Sequence, residues 1–302
     1  MKKILPLLLL ILIGCSEPVN VDTLNLRNGI YYSINSNEPY SGPIFSLFEN
    51  GNIKEEGTYK NGNQDGLWKY YQKNGLLESE KTYNNGKLDG PFKVYYEIGL
   101  LESETTYNNG KLDGPFKVYY ENGQLKQETT YKDGQRDGPL KSYHNNGRLE
   151  SEATLNNGKL DGPFKLYYEN GQLKAEITYK DDNIIDGPAK SYYDNGQLES
   201  EEFHKDGKRD GPAKSYYDNG QLKSEKTFKD DKPDGPYKWY HENRQLREEG
   251  TWKDGERDGP FKSYHDNGQL EQEATFNNGK DDGTLRIFDE NGTIIYDGYL
   301  SD

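Results

Sequence analysis

The sequence predicts an all-β protein, an elongated, twisted antiparallel β-meander of about 11 tandem 24-residue β-hairpin repeats. Three observations predict it. Asp89 to Asn109 reads DGPFKVYYEIGLLESETTYNN, and near copies begin at Asp113, Asp137 and Asp161. The opening glycine stands at 42, 66, 90, 114, 138, 162, 187, 211, 235, 259 and 283, a period of 24 broken once, to 25, by the insertion around Asn183, Ile184 and Ile185. A period between about 20 and 50 residues marks stacked architectures in which one repeat is one supersecondary unit. Each unit also contains two polar turns between two segments rich in strand-forming aromatic and β-branched residues, such as Phe116 to Tyr120 and Leu125 to Tyr131.

Met1-Lys2-Lys3 and the apolar run Ile4 to Ile13 form a charged start and a short hydrophobic segment, far below the roughly 20 residues a membrane-spanning helix needs. Residues 1–14 read as a signal peptide. Residues 15–40 read as a lipidated N-terminus, a short tether over Ser16 to Asn20 and a lead-in hairpin around Asn28-Gly29, and residues 41–302 as the repeat domain with a C-terminal cap. Cys15 is the only cysteine, so no disulfide forms within a monomer.

Within each unit, Asn-Gly at positions such as 74–75, 122–123, 146–147 and 170–171 suits the positive φ angles of a tight hairpin turn. A longer turn is expected over segments such as Tyr131 to Gly138, where Asp, Asn and Gly supply left-handed angles and local hydrogen bonds. An even-numbered first loop places Lys93 opposite Glu104, Lys117 opposite Glu128, Lys141 opposite Glu152, and so on to Lys238 opposite Glu249. The last unit exchanges both partners, to Arg286 and Asp297. The same register groups Phe92, Val94 and Tyr96 on an apolar face with Leu101, Ser103 and Thr105, and sets Tyr107 beside Phe116. The other face carries Lys, Glu, Thr and a tyrosine column at 71, 95, 119, 143 and 167. Arg244 stands at a turn-glycine position, a cost of about 1–2 kcal/mol if it is left-handed.

A formal charge of -14 disfavours nucleic acid and anionic headgroups as partners, because both require clustered Lys and Arg. With 31% hydrophobic and 30% charged residues the composition alone would suggest disorder, but 26 tyrosines and 10 phenylalanines recur at strand positions that a disordered chain has no reason to keep.

Leu12-Ile13-Gly14-Cys15 resembles the lipobox of bacterial lipoproteins, which implies lipid attachment at Cys15; Ser16 after it leans towards the outer membrane. Tyr59 to Gly66 and Tyr131 to Gly138 resemble the loop of MORN repeats, and the whole unit is similar to the bacterial MORN-repeat variant. Leu26 to Tyr32 with Pro39 to Gly42 resembles the opening of the YwqK family, commonly labelled antitoxins of toxin-antitoxin systems. The resemblance implies a hairpin-repeat fold and, for some MORN proteins, phospholipid headgroup binding.

No catalytic constellation stands out, and no enzyme activity, metal or cofactor is expected. His144, His241 and His265 occupy the column filled elsewhere by Tyr96, Tyr120 and Tyr168, and His204 falls where other units have Tyr or Phe, so repeat-column aromatics explain all four. Paired carboxylates such as Glu201-Glu202 lack a distinguishing cleft, and the Asp-Gly loops lack a calcium-binding acidic ladder. The expected role is a scaffold for an unidentified protein partner, tethered to the membrane through Cys15. A glycan- or cell-wall-binding module and an antitoxin-type neutralising protein are the alternatives.

Overall fold

The computed structural model describes residues 16–299, so the signal segment and Cys15 lie outside the described residues. The chain is an antiparallel meander of consecutive hairpins. It divides into two compact units. One runs to Gly123 and includes Tyr131–Gly134; the other comprises Gln124–Thr130 and continues from Gln135. In the first unit, Gly42–Leu47, Ile53–Lys60, Asn63–Tyr71, Leu77–Asn84, Lys87–Tyr95, Leu101–Asn108 and Lys111–Tyr119 each pair with the next. In the second, the same meander runs from Gln135–Tyr143 and Leu149–Asn156 to Thr284–Phe288 and Ile294–Tyr299.

The charge register follows the spacing. Lys93, Lys141, Lys165, Lys190, Lys214, Lys238 and Arg286 stand opposite Glu104, Glu152, Glu176, Glu201, Glu225, Glu249 and Asp297. Beyond the bulge that closes the first strand, however, Tyr95 rather than Tyr96 pairs with Leu101. Across the second turn, Phe116 pairs with Thr105, not Tyr107, and Tyr107 packs instead against Phe92 of its own hairpin at 5.8 Å between ring centroids.

These shifts trace to the turns, whose roles are reversed from the expectation. The two-residue turn with two left-handed positions lies in the segment read as the longer turn: Asn85-Gly86 has φ of 48° and 78°, Asn109-Gly110 49° and 85°, and Asp133-Gly134 50° and 89°. Lys111 and Leu112 then pair with Asn108 and Tyr107 before Asp113-Gly114-Pro115 bulges out, with Gly114 at φ 118°, where an L side chain is strongly disfavoured. In the first turn only the glycine is left-handed, while the Asn side chain accepts from the N–H two residues on, as Asn146 Oδ1 does from Arg148 at 2.9 Å. Arg244 adopts φ 70°, so the left-handed cost applies there.

Every buried side chain among the described residues projects from the face that carries the third residue of each strand counted from the repeat glycine. Ile44, Trp68, Ala213, Tyr237, Phe261 and Leu285 occupy that third position, with Tyr59, Leu155 and Phe228 on returning strands of the same face. Beyond the first repeats, aromatic rings on this face bury one another: Phe164 with Tyr179 at 6.2 Å, Tyr237 with Trp252 at 5.6 Å and Phe261 with Phe276 at 5.7 Å. Where Ala213 replaces the large residue, Arg209 instead lies 4.3 Å from the Phe228 ring centroid.

The deepest core is at the start of the first unit. Val19–Asn20, within the segment read as tether, pairs in parallel with Ile44 and Phe45. Val21, Leu24, Tyr31 and Tyr40 then pack against Ile44, Tyr59 and Trp68. Asn25–Arg27 and Ile30–Tyr32 form the expected hairpin, turned by Asn28 at φ 48° and Gly29 at 79°.

Candidate functional site

Strand pairing between repeats, not only within them, continues the charge alternation. In the first unit the file reads Glu56, Lys69, Glu80, Lys93, Glu104, Lys117 across successive strands. In the second it runs from Lys141 and Glu152 through Lys165 and Glu176 to Lys262, Glu273, Arg286 and Asp297. An interior charge therefore lies between two of opposite sign. Lys190 Nζ is 3.4 Å from Glu201 and Lys165 Nζ 3.8 Å from Glu152, while Arg286 spans both neighbours, at 2.8 Å from Glu273 and 3.6 Å from Asp297. Cross-strand pairs of this kind contribute roughly 0.2–1 kcal/mol each.

The tyrosine column beside this file is tied down. The hydroxyls of Tyr71, Tyr95, Tyr119, Tyr167 and Tyr264 donate to Glu56, Glu80, Glu104, Glu152 and Glu249 of the preceding repeat, at 2.7, 3.0, 2.7, 2.7 and 2.9 Å. The next residue reaches the other way: Tyr96, Tyr168, Tyr193 and Tyr217 donate to the backbone carbonyls of Tyr119, Tyr192, Tyr216 and Tyr240 in the following repeat. A Tyr-Tyr pair thus bonds its repeat to both neighbours. His144, His241 and His265 take the forward-reaching position, with Nε2 at 3.0, 3.0 and 3.1 Å from the carbonyls of Tyr167, Tyr264 and Phe288. A carbonyl only accepts, so Nε2 carries the proton, and the imidazole replaces the phenol as donor. His204 lies on the aromatic face with its Nε2 3.7 Å from Glu202.

Burial first, then the hydrogen bond to glutamate, pushes the hydroxyls of Tyr71, Tyr95, Tyr167, Tyr192, Tyr240 and Tyr264 up to about 12. In the unfolded chain they ionise near 10. Below pH 10 both states hold these protons and the stabilisation is complete. Between pH 10 and about 12 only the folded state holds them, so stability falls as pH rises. The melting temperature is expected to drop across that window, in step with delayed tyrosinate absorbance, and replacing Tyr167 and Tyr192 with Phe should flatten the drop. An unchanged slope in that variant would remove the column as its cause.

Both rims are stitched as well. At the tight turns, Gly110 N–H donates to the Leu88 carbonyl and Gly158 N–H to that of Arg136, at 2.7 Å each. At the opposite rim, Asn146 Nδ2 donates to the Glu169 carbonyl and Asn170 Nδ2 to that of Asp194. Between neighbouring repeats the polar face forms shallow hollows. One of 390 Å³ is bounded by Pro212, Lys214, Glu225, Thr227, Pro236 and Lys238, and the next, of 320 Å³, by Pro236, Lys238, Glu249, Thr251, Pro260 and Lys262. The extra residue near Ile185 reshapes the equivalent hollow between Pro163 and Pro188. Among the described residues no group of three or more His, Cys, Asp or Glu is arranged to hold a metal ion, and no helix is long and apolar enough to cross a membrane.

The model of the MORN repeat variant matches residues 41–61, 64–85, 112–133, 136–157, 160–181, 185–206, 209–230, 233–254 and 257–278. The chain belongs to the MORN repeat variant family. The matched segments of this MORN-repeat protein coincide with the hairpin period seen in the strands. No curated protein sequence matches the chain. Among solved structures it is similar to the crystal structure of TcdB2-TccC3, at 11% identity and a TM-score of 0.20 over 80% of this chain and 16% of that one. It is also similar to that of TcdB2-TccC3-Cdc42, at 12% identity and a TM-score of 0.19 over 89% of this chain and 17% of that one. The MORN-repeat chain thus spans about a sixth of the length of those chains.

Residue spacing shows the Lys and Glu file within hairpins but not its continuation between them, and places the tyrosine column on the polar face without showing what its hydroxyls bond. The signal for the missed bonds is the paired recurrence of Tyr-Tyr with a glutamate fifteen residues earlier.

Proposed function

We propose that the chain is a non-catalytic scaffold for protein–protein interaction, anchored in the bacterial cell envelope by a lipid on Cys15, with the outer membrane favoured over the inner. The polar face carries this reading: repeat after repeat presents the same Pro, Lys, Thr and Glu surface, held in place by tyrosine hydroxyls and turn amides. The tyrosine column and the imidazoles of His144, His241 and His265 are engaged in bonds between repeats. MORN repeats are commonly scaffolds for protein or membrane interaction, which fits this use of the fold.

A second reading rests on the hollows. They recur every two strands, about 10 Å apart at the usual strand spacing, and a linear glycan of similar repeat length could occupy successive ones. Crosslinking the intact protein in its own cells separates the two. Capture of one stoichiometric protein, with wild-type but not Cys15→Ala protein in the membrane fraction, supports the scaffold. Retention on purified peptidoglycan without a captured protein favours the glycan module, and rescue of growth by co-expression with the captured protein would make it a neutralising partner. Labelled fatty acid on the Cys15→Ala protein at the wild-type level would rule out the anchor.

A further inference from the structure

Ile294–Tyr299 pairs with Thr284–Phe288 on one side, and no other described strand is paired with it. It concentrates exposed apolar side chains, with Ile294 51%, Ile295 66%, Tyr296 41% and Tyr299 76% exposed. Open strands of this composition pair with further chains unless they are protected. The charge file also stops here. Glu152 lies between Lys141 and Lys165 in the pairing and accepts the Tyr167 hydroxyl, whereas among the described residues Asp297 faces Arg286 alone, and its side chain is 51% exposed.

We propose that Ile294–Tyr299 is a strand-addition site for an extended segment of a partner protein that carries a basic residue opposite Asp297 and a tyrosine two residues further on. That pattern is what each interior acidic strand meets in the following repeat, as Glu152 meets Lys165 and Tyr167. Main-chain bonds supply the attachment and alternate side chains supply the choice of partner. A second copy of this chain does not fit. The first strand of its repeats, Gly42–Leu47, has Phe45 and Leu47 where lysine and tyrosine are needed, and Val19–Asn20 already pairs with Ile44 and Phe45.

The site is an edge, distinct from the polar face of the scaffold reading, so failure here leaves that reading standing. The test uses the full-length chain and a labelled peptide copying Asp89 to Tyr96, with a second peptide bearing Glu at the Lys93 position. The wild-type chain should bind the lysine peptide more tightly than the glutamate peptide. Asp297→Lys should reverse the order, each change being roughly tenfold and shrinking with salt. Gain of binding by the glutamate peptide cannot come from misfolding, which keeps the variant informative. No saturable binding by either form, equal binding by the wild type and Asp297→Lys, or concentration-dependent self-association that Asp297→Lys abolishes would each overturn the proposal.

Discussion

Removal of Gly211 to Asp234, one whole repeat, is expected to leave a folded protein that still unfolds cooperatively, whereas removal of Gly211 to Leu222 is expected to prevent folding. The whole-repeat deletion joins Asp210 to Gly235 and restores the strand pairing and the bonds of the tyrosine column with equivalent residues. Lys238 replaces Lys214 opposite Glu201, and the Tyr193 hydroxyl meets the Tyr240 carbonyl in place of that of Tyr216. Because each repeat depends chiefly on its neighbours, the loss is close to one repeat's share of stability.

The half-repeat deletion puts Lys223 at the position of Gly211, whose φ is 121°, and Glu225 at that of buried Ala213. The first costs about 1–3 kcal/mol and the second about 2–7 kcal/mol, together comparable to the roughly 5–15 kcal/mol that holds a domain folded. Far-ultraviolet circular dichroism and urea unfolding of both variants check this. Equal tolerance of the two deletions would contradict the repeat register.

Trp68→Ala should destabilise the first unit by about 3–5 kcal/mol. The indole is fully buried, lies 5.1 Å from the Tyr59 ring and 6.3 Å from that of Tyr83, and donates from Nε1 to the Thr58 carbonyl at 3.2 Å. Its truncation leaves a cavity and removes the indole hydrogen bond. Gly57 pairs with Ile44 directly beneath the ring, so a Cβ there would overlap the indole. Gly57→Ala should therefore cost about 1–3 kcal/mol by displacing Trp68. In the Trp68→Ala background the same change should cost far less, since the ring it displaces is gone. Denaturant unfolding of the four proteins measures the coupling; additive costs would mean that Gly57 acts through backbone freedom and not through the indole.

The repeat period, the strand content and the pairing of Lys190 with Glu201 or Arg286 with Asp297 were all legible from residue spacing, because alternation along a strand and compensating changes between repeats are one-dimensional signals. Tertiary structure alone decided which turn is tight. Asn109-Gly110 and Asn146-Gly147 share the same dipeptide, yet only in the first does the asparagine turn left-handed, because bulges and amide bonds to the neighbouring turn determine the geometry. The same holds for the tyrosines: Tyr119 and Tyr167 recur at one position, but recurrence does not say that each hydroxyl reaches back to Glu104 or Glu152. Periodicity shows that repeats are equivalent; which groups meet between them depends on how one hairpin lies against the next in three dimensions.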